Sequence, residues 1–227
     1  MRKVAFFDID GTLFRSSLLI ELVEACVQEE IFSREAQKGY EKECIAWKNR
    51  DGAYELYIDA LVKVFMQEIR GVHYKKFLEI GRKMVAAQGR QTYRYTRDLI
   101  GDLRSKGYYI VAVSQSPKTI LDEFCMTHGF DKVYGRLYEI GPQDRFTGVV
   151  TDLEFIRDKA KIVERVFATN NFSRENSIAV GDTDGDIPML ASVEMPICFN
   201  PNMKLYQHAR ENKWPVVVER KDVVYTI

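Results

Sequence analysis

The sequence predicts an α/β fold, a parallel sheet between helices with an all-helical insertion near its start. Three observations carry this expectation. Val4–Phe7, Tyr108–Val113 and Asn176–Val180 are short apolar runs of the kind that form strands buried on both faces. Each run leads within two residues into a side chain able to do chemistry, Asp8, Ser114 and Asp182, and open α/β sheets place their chemistry at strand ends. Between the first run and the second, the periodicity is helical.

Taken in order, Val4–Phe7 forms a strand that opens into a loop at Asp8, Gly11 and Thr12. Helical spacing then covers about 17–31, 34–48, 53–69 and 74–87, with turn signals at Asp51-Gly52, Gly71 and Gly89. A helix over 92–106, a strand over 108–113, a helix over 117–128 and a strand over 132–138 alternate as βαβ units require. Turn formers around Gly141-Pro142 and Gly148 predict a local hairpin over 139–151, followed by a helix over 157–169. A strand over 176–180, a helix starting near Asp186-Ile187-Pro188, and strands over 195–199 and 215–218 complete the pattern. The expected organisation is an α/β core from 1–15 and 89–227 around a helical insertion at 16–88.

The 227 residues suffice for such a core with its insertion. The 33 basic and 33 acidic residues cancel, so no overall field draws the chain to nucleic acid or an anionic membrane. No run of roughly eighteen apolar residues exists to span a bilayer. Cys26, Cys44, Cys125 and Cys198 are widely spaced with no CxxC pair, which fits reduced structural thiols. The N-terminus has no apolar signal region before its first strand, so a cytoplasmic protein is expected.

Asp8-Ile9-Asp10-Gly11-Thr12 puts two carboxylates on one loop, with Gly11 freeing the backbone to turn so that both can converge on one ligand. A carboxylate is a competent nucleophile toward phosphorus, and an aspartyl phosphate divides hydrolysis into two easier transfers. Asp8 is the candidate nucleophile and Asp10 its proton-transfer partner. Gly181-Asp182-Thr183-Asp184-Gly185-Asp186 supplies a second acidic cluster at a strand end. It lacks the closing glutamate of an EF-hand loop, and hard carboxylate oxygens suit Mg2+, with Asp8 and Asp182 the natural pair of ligands. Ser114 ends a strand with a hydroxyl that can bind a phosphate oxygen, beside the backbone N–H groups of Gln115 and Ser116 at a helix start. Lys159 and Lys161 lie near another helix start, where a cation is unfavourable unless an anion offsets it.

DIDGT, VSQS, a lysine and GDTDGD, in this order, resemble the four-motif signature of the haloacid dehalogenase superfamily. The helical block after the first motif and GDTDGDIPML at the last look most like its phosphoserine phosphatase-like branch, subfamily IB. The resemblance spans essentially the whole chain. It implies a three-layer Rossmann-like parallel sheet core with an inserted all-helical cap domain, and a magnesium-dependent phosphatase acting on a small-molecule phosphomonoester. By position, Asp8 is similar to the family nucleophile, and Asp10 to the general acid/base whose main-chain carbonyl also binds the metal. Ser114 and Lys159 match the groups that hold the phosphoryl oxygens. Lys159 fits better than Lys161 because Ala160 and Val163 follow it in the family's pattern. Asp182 matches the carboxylate metal ligand, and Asp186 the outer acid that orients the lysine or a water of the metal.

The chain departs from that branch where the leaving group would sit. Ser17 occupies the place of a glutamate that recognises the substrate ammonium, and no arginine for a substrate carboxylate stands within 54–61, where Glu55 and Asp59 are found. Gln115 replaces a glycine and Gly185 an asparagine. Trp47, Tyr54, Tyr57, Glu55 and Asp59 favour a cationic leaving group such as a phosphorylated amino alcohol. A phosphotransferase using the same intermediate, or a phosphate-binding module without turnover, are the alternatives. A dinucleotide-dependent oxidoreductase is excluded because no GxGxxG follows any strand.

Overall fold

Alternation within single strands sets the layering. In the computed structural model, which describes residues 2–227, strand β1 (Val4–Phe7) sends Ala5 and Phe7 to one face of a sheet and Val4 and Phe6 to the other. All four are fully buried. The rest of the sheet comprises β2 (Tyr109–Pro117), β3 (Lys132–Gly141), β4 (Arg145–Thr151), β5 (Ile178–Gly181), β6 (Met195–Phe199), β7 (Val216–Arg220) and β8 (Val223–Thr226). The order is β4-β3-β2-β1-β5-β6-β7-β8. The six central strands are parallel, and β4 and β8 close the edges antiparallel.

One face is covered by α5 (Arg94–Ser105) and α6 (Lys118–Met126), the other by α7 (Leu153–Arg157), α8 (Lys159–Thr169), α9 (Ile187–Leu190) and α10 (Met203–Asn212). Between β1 and α5 lie α1 (Leu18–Gln28), a 3-10 turn at Arg34–Gly39, α2 (Glu41–Lys48), α3 (Tyr54–Glu68) and α4 (Tyr74–Gln88). The expected helix over 34–48 is therefore broken at Tyr40, where φ −136° leaves the helical region. The hairpin over 139–151 is present as the β3–β4 turn. Helices α7 and α10 and strand β8 lie outside the expected set, and β7 runs two residues past its expected end. Among the described residues, no helix is long and apolar enough to cross a membrane. The four cysteines are free, three of them buried and Cys44 half-buried.

The helical block is anchored at three places. Its entry and exit are paired, with Arg15 N–H donating to Gln91 and Tyr93 N–H to Leu13, both at 2.9 Å. Its apolar faces join those of α5, α6 and one sheet face in a single hydrophobic cluster, where Gly81 of α4 lets Ile120 of α6 pack into the space a Cβ would fill. The β3–β4 hairpin provides the third anchor. Phe146 exchanges backbone bonds with Gly71 (2.8 Å) and Val72 (3.0 Å), and its ring meets Phe77 at 5.1 Å and Tyr74 at 5.9 Å.

Phe146 is 3% exposed, and truncating a buried phenylalanine leaves a cavity costing about 3–5 kcal/mol. Phe146→Ala is expected to lower unfolding stability by about that much, measured by urea denaturation. A loss below about 1 kcal/mol would mean that the hairpin does not anchor the helices.

Candidate active site

The chain enters the sheet at its centre. From β1 it proceeds outward to β2 and β3 on one side, then returns to fill β5, β6 and β7 on the other. The carboxyl end of β1 is thus a switch point, where the loops of neighbouring strands diverge and leave a crevice. Asp8 stands there, its N–H donating to Val180 at 2.9 Å, with Asp182 just beyond β5. Lys159 opens α8 and Asp186 closes a 3-10 turn after Asp182.

Close backbone approach makes this convergence possible. Gly11 has φ +81°, and a Cβ there would lie 2.1 Å from Asp182 Oδ2. At Gly181 a Cβ would lie 2.5 Å from Asp186 Cβ and Cγ, so Asp186 folds directly over the strand end. Asp186 Oδ2 accepts the N–H groups of Asp182 and Thr183, both at 3.0 Å, and the Thr183 hydroxyl at 3.3 Å. Its other oxygen accepts Lys159 Nζ at 2.5 Å, and Lys159 also donates to Asp8 Oδ1 at 2.6 Å. Lys161 is 61% exposed at its side chain and stands apart from this group.

Asp10 is held from two sides. One oxygen accepts the Leu18 N–H at 2.6 Å, at the start of α1, where the helix dipole favours a carboxylate. The other accepts the hydroxyls of Ser114 (2.6 Å) and Ser116 (2.9 Å). This changes the expectation for VSQS. Strand β2 continues to Pro117 and α6 begins only at Lys118, so Gln115 and Ser116 do not form a helix N-terminus. The Ser116 N–H donates to Ser114 Oγ at 2.9 Å. The Gln115 side chain turns away to donate to the Ile156 carbonyl (2.5 Å) and accept Arg136 (3.0 Å). The Ser114 hydroxyl donates its hydrogen bond to Asp10. The sequence points to the Ser116 N–H and not to its hydroxyl, although strand alternation places residues 114 and 116 on one face once the strand is extended past Val113.

Too much negative charge is buried here for its single cation. Oxygens of Asp8, Asp182 and Asp186 lie within 4.8 Å of one another, while Lys159 is the one cation bonded to this group among the described residues. Burial, only partly offset by Lys159, pushes the Asp8 carboxyl up to about 7, with the Asp186 and Asp10 charges adding to the rise. Asp182 is raised well above the usual carboxylate range by burial and then by Asp8 and Asp186. Burial opposes the charge on Lys159, but the two carboxylates outweigh it and raise its pKa. A divalent cation fits this surplus, since hard oxygen donors are what magnesium or calcium accepts.

A cleft of about 710 Å³ leads from Gly11, Asp182 and Thr183 to solvent between the helical block and the 200–204 loop. Ser17 lines it, with Tyr54 beside it. Asp59 does not: it is exposed one turn further along α3, and Glu55 lines the cleft instead. Tyr57 fills the core at 4% exposure, while Trp47 and Tyr54 form the wall, their rings 5.2 Å apart. Cations line it as well. Arg15 is paired with Glu219 at 2.7 Å, Lys204 with Asp184 at 3.3 Å, and Arg50 lies 5.2 Å over the Trp47 ring. Asp184 thus faces Lys204 and Asn202, away from the buried carboxylates. No sequence signal marks Asn202, which meets these groups only through the fold.

Residues 5–191 match the family model of haloacid dehalogenase-like hydrolases. The chain is 23% identical to an inhibition of morphological differentiation protein of Streptomyces azureus, over 95% of this chain and 78% of that one. It is 22% identical to a histidinol-phosphatase of Neisseria meningitidis, over 96% and 99% of the two chains. A solved phosphoserine phosphatase, an analogue of its phospho-aspartyl intermediate, superposes with a TM-score of 0.64 at 20% identity, covering 97% of this chain and 95% of that one.

The raised Asp8 value has a consequence for stability. Because it lies above the unfolded 3.8, the folded chain gives up stability as pH rises from about 4 through about 7. With divalent cations removed, wild type should lose about 2–3 kcal/mol relative to Asp8→Asn between pH 5 and pH 8. Urea unfolding at both pH values checks this, and parallel curves would refute the raised pKa.

Proposed function

The chain belongs to the haloacid dehalogenase-like hydrolases, and from that premise we propose that it is a Mg2+-dependent phosphatase of small phosphomonoesters, working through an aspartyl phosphate on Asp8. The observation that carries this reading is the surplus of three carboxylates, two buried and one half-buried, around one lysine, directly beside a fourth, separately held aspartate, Asp10. The phosphoserine phosphatase and histidinol-phosphatase similarities support a small ester as substrate. In this reading residues 16–88 are the cap, and 1–15 with 89–227 the catalytic core.

Asp8 and Asp182, with the main-chain carbonyl of Asp10, would hold the ion. When bound, the ion supplies positive charge against the phosphoryl oxygens and relieves the repulsion among the carboxylates. An Asp8 oxygen attacks phosphorus and the bond from phosphorus to the ester oxygen breaks. The Asp10 carboxyl, aimed by Ser114, Ser116 and the Leu18 N–H, gives the departing oxygen its proton. Asp10, now a carboxylate, takes a proton from the water that attacks the aspartyl phosphate. Inorganic phosphate leaves and Asp8 is restored. Lys159 neutralises charge on the transferring group while Asp186 keeps its ammonium in place. Positioning and neutralisation are most of what phosphoryl transfer requires.

The cleft wall pairs Glu55 and two aromatic rings with Arg50 and Lys204, so its charge is mixed. A cationic leaving group would meet Glu55, not Asp59. Phosphate release should therefore be assayed across phosphorylated amino alcohols, histidinol phosphate, phosphoserine, sugar phosphates and nucleotides, with magnesium or EDTA. Metal-dependent release is expected, abolished in Asp8→Asn and reduced roughly a hundredfold or more in Asp10→Asn and Lys159→Met. Glu55→Gln should weaken amines selectively, whereas Asp59→Asn should leave the ranking unchanged. Transfer to added glycerol in place of release would make the chain a phosphotransferase. Silence on every compound would defeat the catalytic reading.

A further inference from the structure

We propose that Asn202 is a positioning residue that latches the helical cap onto the Asp182–Asp186 loop, through Glu55. The inference extends the reading of the cleft as the substrate's entrance.

Asn202 spends every polar atom it has. Its N–H donates to the Asp182 carbonyl at 2.8 Å, and its own carbonyl accepts the Tyr206 N–H at 2.9 Å. The side-chain oxygen accepts the Leu205 N–H at 2.9 Å, capping α10. That bond fixes the amide's orientation, because a flipped group would turn its N–H pair toward another donor. The amide nitrogen then has two hydrogens and two carboxylates to receive them: Asp184 Oδ1 at 2.8 Å and Glu55 Oε1 at 3.4 Å. One residue therefore touches the loop that carries Asp182, the helix behind it, and the first turn of α3 in the cap.

The two carboxylate bonds are unequal, and the inequality is what makes a latch. The Asp184 bond is short and part-buried, and Lys204 supports it from the other oxygen. The Glu55 bond is long and exposed at the mouth of the cleft, so it can open and reclose at little cost. The opposite side of the cap is sewn to the β3–β4 hairpin by the Gly71 and Val72 backbone bonds. Opening at Glu55 is then the movement that admits substrate while the hairpin side stays closed. With the latch shut, the Asp182 loop is held from outside the buried carboxylate group as well as from Asp186 within it.

Helix capping and latching are separable by substitution. Serine and aspartate both cap helices about as well as asparagine, so Asn202→Ser and Asn202→Asp keep that role. Both lose the amide donors, and the aspartate sets a negative charge against Asp184 and Glu55. In Asn202→Asp, Glu55→Gln restores attraction, since the new amide can donate to the new carboxylate. Hydrogen exchange on the full chain, without metal or substrate, is the first measurement. Amides of residues 58–61 and of Thr183 should exchange about three- to tenfold faster in Asn202→Asp. Adding Glu55→Gln should recover much of that protection. In turnover of a neutral phosphate ester, for which Glu55 has no cation to meet, Asn202→Asp should lower kcat/KM about five- to tenfold, chiefly through KM, with partial recovery in the double variant. Wild-type exchange in both single variants, or no recovery on adding Glu55→Gln, would leave Asn202 a helix cap only. If the protein turns over no phosphate ester, the phosphatase reading falls, and the exchange experiment still decides the latch.

Discussion

Three carboxylates, from buried Asp8 and Asp186 and half-buried Asp182, meet around a single ammonium, and much of the surrounding structure exists to hold them there against their repulsion. Water would relieve that repulsion cheaply, but burial removes it. The compensation is geometric. Lys159 bridges two of the acids, the Asp182 and Thr183 N–H groups point into Asp186, and Thr12 donates to Asp182 at 3.2 Å. Thr12 is in turn fixed from behind, its carbonyl accepting the Thr96 hydroxyl at 2.8 Å. Such a site is stable enough to persist yet poised to take up a cation, a tension common to binding centres.

Asp10 answers to a different environment. Its partners are two serine hydroxyls and one helix N–H, with no lysine bonded to it. The loop that carries both acids thus places them in unlike surroundings two residues apart. One is ringed by charge and the other by neutral donors. Separate electrostatic settings for paired carboxylates are how a fold assigns them separate chemical tasks.

The helical block shares one hydrophobic cluster with a face of the sheet, so it is no loosely tethered lid. Its entry and exit are hydrogen-bonded to each other and the hairpin fastens one flank. The other flank, carrying Trp47, Arg50, Tyr54 and Glu55, is the side on which the cleft opens. Apolar burial is least there: helix α2 has no buried residue, whereas α1 buries six.

Asp8, Ser114 and Asp182 stand out in the sequence because each follows an apolar run, and a strand buried on both faces announces itself by composition alone. The α/β alternation, the helical insertion and the strand-end places of Asp8 and Asp182 follow from that kind of local signal, whereas Lys159 and Lys161 look alike near a helix start and only the fold brings Lys159 to the acids. Other features depend on distant partners. Strand β8 has a short run of β-branched and aromatic residues, Val223-Val224-Tyr225-Thr226, but it is exposed except for Val224 and takes its place only by pairing with β7 at the sheet edge. The extension of β2 to Pro117, which gave Ser116 to Asp10 and turned Gln115 outward, depends on pairing with Arg136 across the sheet. Asp59 and Glu55 are one helical turn apart and chemically alike in sequence, and only the packing angle of α3 decides which faces the cleft. Asn202 joins residues 147 positions distant. Composition and periodicity report what a residue can do, while its partners are set by long-range packing, which no window of sequence contains.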